Sequence, residues 1–104
     1  MEIIKDISKD IEKEINRAEC YAKKALKYKT MYPGPAEHYF KAANNALAEI
    51  TSNLHIAVVE LIDNYKKEKG NPPPDMLRLY DILHEMHTEH LAAVKGMLSL
   101  YKEM

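Results

Sequence analysis

Two proline clusters constrain this chain more than any other feature: Pro33-Gly34-Pro35 and Gly70-Asn71-Pro72-Pro73-Pro74. Proline fixes φ and removes a backbone donor, and glycine is favoured just past a helix end, so both clusters are breaks. Between the breaks, apolar residues step by three and four. The first stretch runs through Ile4, Ile7, Ile11, Ile15, Ala18, Ala22 and Ala25. The second runs through Phe40, Ala43, Leu47, Ile50, Leu54, Ala57 and Leu61, and the third through Met76, Tyr80, Leu83, His87, His90, Val94, Met97 and Tyr101. Such steps put one line of side chains on the inner seam of a helix bundle. The spacing therefore predicts an all-α protein of one domain, with three long antiparallel helices over about residues 3–32, 36–69 and 74–103. Asp75, just after Pro74, puts negative charge in the first turn of the third helix.

Composition excludes several classes. Fifteen basic against sixteen acidic residues, without a basic block, leave nucleic acid binding without its usual footprint. No apolar stretch is long enough for a membrane span, and the start Met1-Glu2-Ile3-Ile4-Lys5-Asp6 lacks the layout of a signal peptide. Cys20 stands alone and can staple nothing within the chain. The expected location is the cytoplasm, with neither membrane nor nucleic acid as a partner.

The second helix carries a further stripe through Ala48, Ser52, His55, Ile56, Val59 and Ile62. A three-helix monomer has one inside, so a second apolar stripe asks for another partner, and self-association supplies it. The expected interface is His55, Ile56, Val59 and Ile62 of a homo-oligomer.

Chemistry-bearing residues concentrate on the third helix, in His84-Glu85-Met86-His87-Thr88-Glu89-His90. Histidines three apart on a helix are neighbours, and imidazole suits zinc, iron, copper or nickel. His87 and His90 fall on the expected seam, with His84 beside it. On the first helix, Glu14 takes a seam position between Ile7 and Tyr21, and a carboxylate there needs a partner. Two readings stay open: a metal site from Glu14, His84, His87 and His90, or core histidines satisfied by neighbouring helices with Glu14 turned to water. His55 fits a packed interface residue. The chain has no phosphate-binding glycine loop, Cys-x-x-Cys, serine elbow or His-Glu-x-x-His.

The pattern Glu14-x-x-x-Ala18-x-x-Tyr21-x-x-x-Ala25 resembles the first helix of ferritin-like proteins, rubrerythrins included. Leu54-His55, Val58-Val59, Gly70, Pro72-Pro73, Tyr80, His84, Val94-Lys95 and Tyr101-Lys102 also look like the small ferritin-like proteins of bacteria and phages, the encapsulated type among them. That resemblance implies a bundle completed by oligomerisation and a di-iron site of lone glutamates plus Glu-x-x-His motifs. Glu14 matches the lone glutamate. No Glu is followed by His three residues later; the only acid so placed is Asp81, before His84. The resemblance thus implies a site rebuilt from Glu14, His84, His87 and His90 around iron or another divalent transition metal, with storage or ferroxidase-type activity. The alternative is a non-catalytic structural or adaptor oligomer on a degenerate scaffold.

Overall fold

The computed structural model describes residues 2–104, apart from the side chains of Met86, His87 and Thr88. Among the described residues all regular structure is helical. Helix α1 spans Glu2–Tyr28, α2 Pro33–Glu49, α3 His55–Lys69, α4 Pro74–Thr88 and α5 His90–Glu103. A π-helical turn, Ile50–Leu54, joins α2 to α3. The segments make three rods, α1, α2–α3 and α4–α5, in a body of 56 × 21 × 16 Å. No helix among the described residues is long and apolar enough to cross a membrane.

Helix α1 buries the expected line: Ile4, Ile11, Ile15, Ala18, Ala22 and Ala25. It ends at Tyr28, whose carbonyl accepts the N–H of Tyr32 at 2.8 Å. Helix α2 begins at Pro33, three residues before the expected start. The first turn tolerates proline, because its N–H groups lack intrahelical acceptors in any case. Along α1 and α2 the contacts run in opposite order. Tyr28 meets Tyr32 at a centroid distance of 6.0 Å, and Tyr21 stacks on Tyr39 at 6.0 Å. Buried alanines on both helices (Ala18, Ala22 and Ala25; Ala36, Ala43 and Ala46) let the backbones approach closely. Along α1 and α5, numbers rise together. Lys29 donates to the Tyr101 carbonyl, and Tyr101 stacks on Phe40 of α2 at 4.5 Å.

The second and third rods are not the unbroken helices that the spacing predicts. In the π turn, the Thr51 hydroxyl donates back to the Leu47 carbonyl at 3.1 Å and lies 3.4 Å from that of Ala48. Such back-bonding competes with the regular ladder. An i→i+5 turn holds an extra residue, so everything beyond it lags in rotation. The buried line therefore moves from Leu54–Ala57–Leu61 to Val58 and Ile62. The third rod breaks at Glu89, with φ −104° and ψ −58°. Its buried residues are Met76, Leu79 and Leu83 before the break and Leu91, Val94 and Leu98 after it. Tyr80 and His90, expected on the inner seam, are exposed. No buried polar or charged residue occurs among the described ones.

Gly70 closes α3 at φ 88°, ψ −130°, a backbone region closed to ordinary L-residues. Gly70→Ala is expected to cost about 1–3 kcal/mol through that strain. Gly96→Ala, in the exposed interior of α5 with open space around it, is expected to stabilise by roughly 0.4–1 kcal/mol. Denaturant midpoints of the two variants check both signs; a neutral Gly70→Ala would count against this α3 terminus.

Candidate functional site

Glu14 lies on the α1 face towards α2. Its side chain is 16% exposed and accepts a hydrogen bond from Arg17 at 3.1 Å. Arg17 is held more firmly charged than usual, by Tyr21 first and then by Glu14. Glu14, Arg17, Asn45 and Glu49 line one groove between α1 and α2. Glu49 itself accepts from Asn53 at 2.8 Å. Its shared groove with Glu14 follows from how closely the alanine-lined helices pack.

His90 opens α5 on a different side of α1. It shares a groove of about 310 Å³ with Glu12, Glu19 and Glu85. The Glu19 carboxyl is held below its ordinary range chiefly by the hydrogen bond and charge of Lys23, 2.9 Å away, with a smaller pull from His90. The displacement of His90 from the seam has a geometric cause: after the break at Glu89, Leu91 rather than His90 continues the buried line.

His84 is exposed on α4. It lines a small pocket of about 50 Å³ with His55, Tyr80 and Leu83. His87, the remaining expected ligand, lies outside the described residues. Glu14, His84 and His90 thus face three separate grooves. Among the described residues no group of three His, Cys, Asp or Glu is placed to hold one metal ion. The described members of the expected set do not fit a shared metal centre within one chain.

The expected interface residues also separate. Ile62 belongs to the core, turned inward by the π turn. Ile56 is exposed, while Val59 and His55 are half-buried. Val59 lines a groove between α3 and α4 with Asp63, Lys66, Leu77 and Tyr80. Leu77 and Tyr80 are about half exposed there, at 49% and 51%. The sequence reading missed both as surface residues. The Met76–Leu79–Leu83 spacing was an equally good helical line, and with it Tyr80 falls outside.

No family model matches this chain, and no curated protein or solved structure shows a significant likeness to it. The class the fold defines is the broad one: an all-helical bundle with an apolar core and several open grooves.

Proposed function

We propose that this chain is a non-catalytic structural or adaptor module, three antiparallel rods on a ferritin-like scaffold, that works as a homo-oligomer. The observation that carries this reading is the α3–α4 groove. Leu77 and Tyr80 present large apolar surface to solvent beside half-buried Val59, and Ile56, three residues earlier on α3, is exposed as well. A second copy seated there would remove that surface from water, at roughly 25 cal/mol per Å². Light scattering is expected to return a multiple of 12.0 kDa at micromolar concentration. Val59→Glu is expected to shift the mass to that of the monomer while helical circular dichroism stays, because a carboxylate in the interface is buried without a partner. A parent protein that scatters as a 12.0 kDa monomer would falsify the reading.

The metal-handling alternative has one observation in its favour: Glu14 and Glu49, on different helices, line the same groove. Against it, Glu14 is already paired with Arg17. Metal per chain by elemental analysis, before and after chelation, separates the two readings.

A further inference from the structure

Asp63 and Lys66 stand close to one turn apart on α3, about 4.5 Å along its axis, and both line the α3–α4 groove. Both are exposed, and neither is ion-paired among the described residues. On the α4 side of the groove, the half-exposed Leu77 and Tyr80 have the same spacing. The short turn over 70–73 reverses the chain, so residues equally far from it on α3 and α4 lie at one level. Lys66 and Leu77 are each four residues from that turn, and Asp63 and Tyr80 are each seven. The groove therefore has two levels: a cation beside an aliphatic side chain, then an anion beside an aromatic one.

We propose that this groove joins two copies of the chain in one register, fixed by reciprocal ion pairs between Asp63 and the partner's Lys66. The inference rests on the homo-oligomer reading and adds to it the symmetry and the residues that choose the partner. A two-fold axis that crosses the groove between the two levels lays α3 antiparallel on α3 and α4 on α4. It sets Asp63 against the partner's Lys66 and Leu77 against the partner's Tyr80, each contact occurring twice. A two-fold axis along the groove instead sets both charges against apolar side chains, where they lose water and gain no partner. Charge complementarity therefore separates the two arrangements. Exposed ion pairs add little affinity, so the apolar side chains supply the association and the charges supply its register.

The experiment is light scattering over a dilution series of the parent, of Asp63→Lys, of Lys66→Asp and of an equimolar mixture of these two variants. Each variant alone sets like charges opposite each other twice per dimer, and is expected to associate at least about tenfold more weakly than the parent. The mixture is expected to recover association, because every contact then joins a lysine to an aspartate. The double variant Asp63→Lys, Lys66→Asp is expected to self-associate like the parent but not to pair with it, which a tagged parent reads by co-purification. Both positions are exposed on α3, and helical circular dichroism checks that each variant is folded. Single variants that associate like the parent, a mixture no better than its components, or free pairing between parent and double variant overturns the register. Those results leave the oligomer itself to the Val59→Glu test, whereas a monomeric parent overturns both readings.

Discussion

Deleting Glu60 is expected to destabilise the protein by several kcal/mol, while deleting Ser52, eight residues earlier, leaves the fold intact. Both residues are exposed, and neither belongs to the core. The difference lies in the helix around them. Ser52 sits within the π turn, which holds one residue more than a regular turn. Removing it converts the turn to α-helix and keeps Leu47 and Ile50 in line with Val58 and Ile62. Glu60 sits within regular α3. Removing it turns every later residue of the helix by ~100°. Asp63 then takes the inward position of Ile62, which is only 7% exposed. An uncompensated charge of that kind costs about 3–5 kcal/mol, against a typical total stability of about 5–15 kcal/mol. Denaturant titrations of the two deletions, followed by circular dichroism, make the comparison. Equal loss in both would mean that the extra residue of the π turn is not what sets the register of α3.

Ile50→Ala is expected to cost about 2–5 kcal/mol, the range for emptying a close-packed aliphatic site. Ile50 is fully buried at the junction of α2 and the π turn, in the same core as Ile11, Leu83 and Val94. The neighbouring helices are held by their own contacts and cannot collapse into the void, so a cavity adds to the lost transfer energy. Ile56→Ala removes the same atoms from a residue 48% exposed, and its effect on the stability of the isolated chain is expected to stay within about 0.5 kcal/mol. The comparison must be made below the concentration at which chains associate, since Ile56 borders the proposed interface. Similar midpoints for the two variants would show that Ile50 is not where the core is densest.

How far the site was legible follows from the same residues. The sequence named His84, His90 and Glu14 as unusual, and each does line a groove. It had no means of telling that the grooves differ. A shift of one residue in the inward line exchanges Tyr80 for Leu79 and His90 for Leu91, and both lines have helical spacing. The exposed Leu77 and Tyr80 went unseen for that reason. The pairing of Glu14 with Arg17, three residues on, was available from spacing alone.

What the sequence by itself determined is the helical architecture: the proline clusters, the steps of three and four, and the α1 line from Ile4 to Ala25 all depend on local geometry. Proline acts on its own φ and on its own turn, and amphipathic spacing is a property of one helix, so neither needs a neighbour to be read. What only the tertiary structure decided is rotation: which of two near-equivalent lines on α3, α4 and α5 faces inward. That choice rests on a π turn at Ile50–Leu54 and a break at Glu89, in stretches free of Gly and Pro. An isolated helix would favour a regular α turn there, since π turns are rare. The packing of Val58, Ile62, Leu79 and Leu91 into one apolar core makes the difference, and it exists only once the three rods have met.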